Sequence, residues 1–283
     1  MKETIAVIGA GVMGTGVAHN FAQHGYKVTL VDHLESQLKK SKQLIKRNLR
    51  LYDFHGEHYR SPLTRDMISD NITFTSDLES VSKARVIIEN VTEDWDIKKR
   101  LYGELKQVCS PDVLWGVNTS AVSVTRLAAL LPTPQNVIGV HFMNPVPLKP
   151  MVELIRGFHT SVETITAFGE ILKQLNKKYI VVNDSPGFVT NRAMMLFINE
   201  AIFMISENVA ACDEIDILFK ECFGHKMGPL QTADLIGLDT ILLSLNMLYE
   251  GFNDDKFRPC FLLKKMVDGG LLGMKSGKGF YEY

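Results

Sequence analysis

The sequence predicts an α/β protein in which a doubly wound, mostly parallel β-sheet is followed by a smaller all-helical domain. Over residues 4–183, short apolar runs alternate with longer segments of helical periodicity, which is typical of parallel strands joined by crossover helices. A glycine-rich turn directly follows the first apolar run. Beyond residue 185 the strand-like runs stop and apolar residues recur at spacings of three and four, which indicates helices.

The elements of the first domain follow from this alternation. The runs predicted as strands are 5–8, 27–31, 85–89, 113–117, 137–140 and 179–182. The segments predicted as helices are 13–24, 35–51, 95–109, 122–131 and 162–175. An Asp-Ser-Pro-Gly turn at 184–187 ends the last strand. We therefore place residues 1–185 in the first domain and 186–283 in the second.

The second domain is predicted to be helical throughout. Its predicted helices cover residues 188–208, 213–223, 230–250 and 256–267. The stretch 193–205 is apolar nearly all round, which favours burial against both its own domain and a second subunit. We therefore expect a homodimer.

Composition narrows the classes of function. The formal net charge is −1 at pH 7, so no overall basic balance points to nucleic acid. The four cysteines are far apart and form no CxxC pair, which favours neither disulfides nor a metal site. The first apolar run ends after four residues, too short for a membrane span. We expect a cytoplasmic protein without metal, membrane or nucleic-acid partner.

A dinucleotide-binding turn is predicted at Gly9, Gly11 and Gly14, which fit GxGxxG between a strand and a helix. The first glycine permits the tight turn, the second lets a pyrophosphate approach, and the third allows the helix to pack on the strand. The next strand ends in Asp32, whose carboxylate would bind ribose hydroxyls and repel a 2′-phosphate. This indicates a Rossmann-type domain for NAD rather than NADP. FAD is disfavoured because flavoproteins with this turn are usually longer.

His141 and Glu153 are the residues most suited to proton transfer. Oxidation of an alcohol needs a base of near-neutral pKa, and histidine is the first choice. His141 follows the strand 137–140 and so lies at a carboxyl end, where open α/β sheets bind ligands. Glu153 is flanked by apolar residues and needs a partner if it is buried. We expect the two side chains to pair.

Six segments then resemble, in order, the landmarks of L-3-hydroxyacyl-CoA dehydrogenases. They are Asn118-Thr119-Ser120, His141-Phe-Met-Asn-Pro, Met151-Val-Glu-Leu-Ile, Asp184-Ser-Pro-Gly-Phe-Val-Thr-Asn191-Arg192, Met227-Gly-Pro-Leu and Gly277-Lys-Gly-Phe-Tyr. They cover nearly the whole chain. The resemblance implies NAD-dependent oxidation of the 3-hydroxyl of an acyl thioester.

The resemblance also implies roles for individual residues. His141 would be the general base and Glu153 would orient it. Ser120 and Asn191 would hydrogen-bond the substrate and the nicotinamide region, although helix caps or turns are alternative roles for both. Among the cofactor-binding residues, Asn118 and Glu93 would border the nicotinamide and ribose. For Glu93, a solvated acid at a helix start is the alternative.

The sequence leaves two candidates for the carrier of the acyl group, CoA and an acyl carrier protein. Residues 55–62 replace a lysine-rich loop with which many relatives are thought to contact the CoA nucleotide. Just before them, a predicted helix presents six basic residues, a pattern that usually marks a solvated face but also suits a docking surface for phosphates or an acidic carrier protein. These are Lys39, Lys40, Lys42, Lys46, Arg47 and Arg50. Oxidation of a short hydroxyacyl group on an acyl carrier protein, as in polyketide extender-unit pathways, is therefore the alternative.

Two other classes of protein are alternatives to this prediction. One is a dinucleotide-binding protein without catalytic function, as when the fold serves as a lens crystallin. The presence of His141, Glu153, Ser120 and Asn191 argues against it, because no structural role demands that set. The other is a lysine-dependent β-hydroxyacid dehydrogenase, whose lysine motif is not apparent in this sequence.

Overall fold

A computed structural model describes residues 4–52, 61–120 and 122–283. The chain divides into two compact units, Met1–Asp184 and Ser185–Tyr283. The boundary predicted from sequence lies one residue from this division. Residues 55–60 of the segment that departs from the family's lysine-rich loop lie outside the described residues.

The first unit contains one eight-stranded sheet, and this confirms the predicted fold class. Its strands are β1 Thr4–Ile8, β2 Lys27–Val31, β3 Ile72–Thr75, β4 Val86–Glu89, β5 Leu114–Val117, β6 Val137–Phe142, β7 Met151–Arg156 and β8 Lys178–Asn183. Their spatial order is β3-β2-β1-β4-β5-β6-β7-β8. All neighbours are parallel except β6 and β7, which are antiparallel. The sheet is thus a doubly wound one with a reversed edge pair.

Helices cover the sheet, and β1 lies at its centre between β2 and β4. They are α1 Val12–Gln23, α2 Glu35–Leu51, α3 Arg65–Asp70, α4 Trp95–Val108, α5 Val124–Ala128 and α6 Val162–Gln174. Residues Ile5 to Ile8 are each at most 3% exposed, as expected for a central strand buried on both faces. The strand order reverses at β1 and β4, and open sheets bind ligands at the carboxyl ends of strands at such a point.

Two strands escaped prediction from the sequence. The strand β3 has four residues of mixed burial at the edge of the sheet, so it gives little periodic signal. For the segment that forms β7, the sequence predicts a buried acid, Glu153, between apolar residues, but no strand. In addition, His141 lies within β6, which extends to Phe142, so the prediction that the strand ends before it was wrong. The corrections at β6 and β7 bear on the site, because these strands carry His141 and Glu153.

The second unit is helical, as predicted. Its helices are α7 Thr190–Ser206, α8 Cys212–Phe223, α9 Pro229–Ile236, α10 Leu238–Phe252 and α11 Phe261–Asp268. The segment predicted as one helix over 230–250 is two helices, because Gly237 adopts a φ of +102° between α9 and α10. In the described residues no single helix suffices to cross a membrane, although α9 and α10, bent by 97°, pass that test as a pair on length and composition.

The core of the second unit draws on each of its five helices. Met195, Ile198 and Ile202 of α7 are at most 3% exposed and pack with residues of α8 to α11 in one apolar cluster. Met194, one position away on α7, is 40% exposed. The stretch 193–205 therefore buries one face in its own unit, while other apolar side chains of it are only partly covered.

His19 on α1 is expected to make the stability of the first unit sensitive to acid. Its ring is 1% exposed and stacks on Tyr52, and within the described part of the chain neither ring nitrogen has a hydrogen-bond partner. Burial, with a smaller contribution from His24, lowers the pKa of His19 from 6.5 to about 4. The unfolded chain therefore binds a proton in this pH range that the folded chain does not.

Since the folded-state pKa is the lower one, stability is present above pH 6.5 and is lost as the pH falls toward 4. We expect His19 to account for a fall of about 2 kcal/mol in the free energy of unfolding between pH 7 and pH 5. Urea unfolding of wild type and His19→Leu at both pH values measures this. An equal pH dependence in the two proteins would contradict it.

Candidate functional site

The glycine turn after β1 has the shape that a dinucleotide pyrophosphate requires. Gly9 adopts a φ of +94°, and a Cβ on it would lie 2.8 Å from the carbonyl oxygen of Asn90. A Cβ on Gly14 would overlap the carbonyl of Gly9, whereas one on Gly11 would meet nothing within 4 Å. The first and third glycines are thus fixed by close packing. The backbone at Gly11, where α1 begins, is open to a ligand.

Asp32 stands at the end of β2 beside this turn. Its Oδ2 accepts a hydrogen bond of 2.8 Å from the backbone N–H of Ala10, and its Oδ1 accepts one of 2.9 Å from that of Leu34. A carboxylate oxygen accepts more than one hydrogen bond, so ribose hydroxyls can still bind. The bond to Ala10 ties the acid to the glycine turn. The residues therefore fit a nicotinamide dinucleotide.

His141 and Glu153 face each other across the antiparallel pair β6 and β7. They are Cα partners in the register, so their side chains lie on the same face of the sheet. The Nδ1 of His141 lies 2.7 Å from the Oε2 of Glu153, and the residues are 7% and 4% exposed. The carboxylate accepts only, so Nδ1 carries the proton and Nε2 presents a lone pair when the ring is neutral.

Ser120 completes this chain of hydrogen bonds. Its Oγ lies 3.1 Å from the Nε2 of His141. It belongs to the loop that follows β5, in which Asn118 accepts a hydrogen bond of 3.2 Å from the backbone N–H of Phe142 and donates one of 2.7 Å to Asn90. Asn118 therefore connects the carboxyl ends of β4, β5 and β6. Two of the predicted site residues, Glu153 and Ser120, therefore contact His141 directly.

Glu93 fixes the position of the Ser120 loop. Its Oε1 accepts a 2.6 Å hydrogen bond from the backbone N–H of Ser120, and its Oε2 accepts one of 2.8 Å from the Oγ1 of Thr119. Its side chain is 24% exposed. Glu93 is therefore a partner of the loop and not only a solvated acid at the start of α4.

Lys98 is a buried residue of this region that the sequence analysis does not predict. Its Nζ lies 2.8 Å from both carboxylate oxygens of Glu89 and 3.8 Å from Oε2 of Glu93, with the side chains of Lys98 and Glu89 fully buried. Burial raises the pKa of the Glu89 carboxyl, and the Lys98 ammonium opposes that rise. Helical spacing could have predicted its burial, because Lys98 shares the buried face of α4 with Tyr102 and Leu105.

Asn191 belongs to the second unit, where it is the second residue of α7. The structure therefore groups the predicted site residues into two sets of the first unit, one at the glycine turn and one around His141, while Asn191 is described only within its own unit. Among the described residues there is no cluster of three or more histidine, cysteine or acidic side chains that could hold a metal ion.

Comparison with known families gives two matches that together span nearly the whole chain. The family model described as 3-hydroxyacyl-CoA dehydrogenase, NAD binding domain, matches residues 4–185. The model of the C-terminal domain of 3-hydroxyacyl-CoA dehydrogenase matches residues 187–283.

Relatives agree with these matches. The chain is 43% identical over 277 residues to a probable 3-hydroxybutyryl-CoA dehydrogenase of Deinococcus radiodurans, covering 98% of this chain and 99% of the relative. It is 40% identical over 281 residues to the 3-hydroxybutyryl-CoA dehydrogenase of Bradyrhizobium diazoefficiens, covering 99% and 95%.

A solved structure is also similar over its full length. The (S)-3-hydroxybutyryl-CoA dehydrogenase of Ralstonia eutropha superimposes with a TM-score of 0.91 at 37% identity, covering 100% of this chain and 99% of that one. The similarity therefore extends over both units of the chain.

Proposed function

Because the chain belongs to the 3-hydroxyacyl-CoA dehydrogenase family, we propose that it interconverts a 3-hydroxyacyl-CoA and the 3-oxoacyl-CoA with NAD, using His141 as the general base. The observation that carries the assignment of the base is the chain of hydrogen bonds from Glu153 through His141 to Ser120. Relatives named 3-hydroxybutyryl-CoA dehydrogenases favour a short acyl group, and one named for the (S)-isomer favours that configuration.

The mechanism follows from the tautomer that Glu153 imposes. With Nδ1–H donated to Glu153, the Nε2 of His141 accepts the proton of the substrate 3-hydroxyl as the oxygen becomes a carbonyl. The imidazolium that forms is stabilised by the carboxylate 2.7 Å away. Ser120 Oγ, beside Nε2, holds the substrate oxygen at the base. Reduction reverses the path of the proton.

The NAD is held by residues of the first unit. The open backbone at Gly11 and the N-terminus of α1 would receive the pyrophosphate, and Asp32 would receive the adenosine ribose. Bound NAD supplies the acceptor for the hydride that leaves C3. Glu93 and Asn118 fix the loops after β4 and β5, which would border the nicotinamide. Asn191 of the second unit is assigned to substrate and nicotinamide binding through its motif.

Asp32→Ser is expected to relax the choice of cofactor. The variant loses a charged acceptor for the ribose hydroxyls and the repulsion of a 2′-phosphate. We expect kcat/KM for NADH to fall about 100-fold, from the loss of hydrogen bonds to a charged group, with a smaller loss for NADPH. The ratio of the two kcat/KM values is measured, because a general loss of structure would lower both equally. An unchanged ratio would contradict the role of Asp32.

The exposed basic face of α2 is the proposed docking surface for the acyl carrier. A groove of about 450 Å³ between this face and the start of α1 is lined by Gly11 as well as by Lys40 and Arg47, so the basic face adjoins the proposed pyrophosphate site. All six basic residues of α2 have exposed side chains, and among the described residues none of them has an ion-pair partner. The surface suits the phosphates of CoA, and equally an acidic acyl carrier protein, which stays the second candidate.

The first test of the function is NADH oxidation with acetoacetyl-CoA beside the same acyl group on an acyl carrier protein. We expect fast turnover of the CoA ester. Turnover on the carrier protein alone would favour the second candidate, and NADH binding without turnover of either thioester would favour the non-catalytic alternative.

Lys46→Glu, at an exposed basic residue of α2 that does not line the groove at the glycine turn, then tests the docking surface. Reversing this charge should raise the KM for the thioester about tenfold while kcat and the KM for NADH stay unchanged. Lys106→Glu, an equivalent reversal on the exposed side of α4, serves as the control. Equal effects of the two variants would argue against a carrier surface on α2.

The assembly and location are proposed on separate grounds. We propose a homodimer formed through the second unit, because Ile217 and Leu218 of α8 and Leu235 of α9 are more than half exposed there. Light scattering at micromolar concentration measures the assembly, and a monomer would contradict it.

The cytoplasmic location stays a proposal from cysteine usage, which fractionation of cells would test.

A further inference from the structure

Lys177, immediately before β8, is a buried cation that the proposed mechanism does not use. The residue is 6% exposed, and among the described residues no carboxylate forms an ion pair with it. Its Nζ instead donates hydrogen bonds to three backbone carbonyls, those of Val146 at 2.6 Å, Pro147 at 3.3 Å and Lys149 at 2.7 Å. An ammonium has three donors, so these carbonyls satisfy it completely.

All three carbonyls belong to the β6–β7 connection, residues 143–150. This segment leaves β6 just after His141 and Phe142 and enters β7 just before Glu153. The adjacent backbone reinforces the attachment, since the N–H of Lys178 donates to the carbonyl of Pro150 at 2.8 Å. Lys177 therefore fastens the segment whose two ends carry the proposed base and its carboxylate.

The same connection is packed against the cofactor-binding helix. A Cβ on Gly16 of α1 would lie 3.1 Å from the Cβ of Val146, so the connection and α1 touch closely at this point. The carbonyl of Val146 accepts the shortest of the three Lys177 bonds. The connection thus spans from the catalytic strands to the helix whose N-terminus faces the dinucleotide.

We propose that Lys177 is a positioning residue, which fixes the β6–β7 connection so that the His141–Glu153 pair is held in register with the cofactor-binding helix. The proposal rests on the proposed function, because it gives this role for hydride transfer with His141 as base. A misplacement of about 1 Å in such a site costs about 100-fold in rate. A fully satisfied ammonium holds three carbonyls at once, which no neutral side chain of similar length does.

The Lys177 ammonium loses its proton in the alkaline range. Burial lowers the pKa of the Lys177 ammonium from 10.5 to about 8. In the part of the chain that the structure describes, the charged groups on the connection, on α6 and on β8 are Lys149, Glu163, Glu170, Lys173 and Lys178, and all five are exposed. Tyr179 on β8 is a further titratable group and is half-buried. Loss of the proton above pH 8 leaves the three carbonyls with one donor fewer and weakens the attachment.

The test compares Lys177→Met, Lys177→Arg and wild type, with Lys178→Met as the control at an exposed neighbour. The measured quantities are kcat for oxidation of 3-hydroxybutyryl-CoA by NAD across pH 6 to 10, the dissociation constant of NADH, and thermal unfolding. We expect Lys177→Met to lower kcat about 10- to 100-fold with NADH binding unchanged, while Lys178→Met resembles wild type. In wild type kcat should fall as the pH rises through about 8.

Lys177→Arg should lack that fall, because a guanidinium keeps its charge. A Lys177→Met variant with wild-type kcat, or the same alkaline fall in wild type and Lys177→Arg, would overturn the proposal. If Lys177→Met does not fold, the pH profile of Lys177→Arg decides, and failure of both to fold would assign Lys177 a structural role instead. Absence of turnover in wild type would refute the proposed function and is distinguishable from all of these.

Discussion

Replacing His141 with glutamine is expected to lower kcat for acetoacetyl-CoA reduction by about 10³- to 10⁴-fold. Glutamine keeps a polar side chain of similar size beside Glu153 but cannot take up or release a proton at neutral pH. His141 itself is only 7% exposed, so water is a poor substitute for the base. This is the largest single effect that the structure predicts.

Binding of NADH should survive the substitution, because the glycine turn and Asp32 lie at the ends of β1 and β2 and not at β6. The measurement is therefore a pair: stopped-flow hydride transfer and NADH fluorescence titration. His159→Gln, at an exposed histidine of the same unit, is the matched control and should retain wild-type kcat. An His141→Gln rate within tenfold of wild type would remove His141 from the role of general base.

Glu153→Gln is expected to give the second largest effect, a fall in kcat of about 10²- to 10³-fold. The carboxylate accepts the Nδ1–H of His141 at 2.7 Å, whereas a side-chain amide can donate to Nδ1. Donation by the amide would move the ring proton to Nε2, where it blocks uptake of the substrate proton. The variant also lacks the negative charge that stabilises the imidazolium.

Two observations separate this tautomer effect from damage to the fold. The nearly isosteric amide should leave thermal unfolding close to that of wild type, and NADH binding should be retained. Glu170→Gln, which removes an exposed carboxylate on α6, should leave kcat unchanged. A Glu153→Gln variant with wild-type kcat would show that His141 needs no orienting carboxylate.

Much of the fold was predictable from the sequence because its signals are local. The helix 35–51 and the strand 27–31 were predicted with their observed bounds, since amphipathic periodicity and turn residues act within a few positions. The glycine motif was equally local, and its first and third members are fixed by contacts to Asn90 and Gly9. The family resemblance, carried by six short motifs, is confirmed by matches over residues 4–185 and 187–283.

Only the tertiary structure decided how these parts meet. The antiparallel pairing of β7 with β6 sets Glu153 opposite His141. The apolar pattern of a single strand does not determine its register with a neighbouring strand. The bonds of Glu93 to Ser120, the burial of Lys98 against Glu89 and the three carbonyls on Lys177 join residues that are 9 to 31 positions apart. Such contacts depend on chain topology, because a buried charge finds its partner in space and not along the sequence.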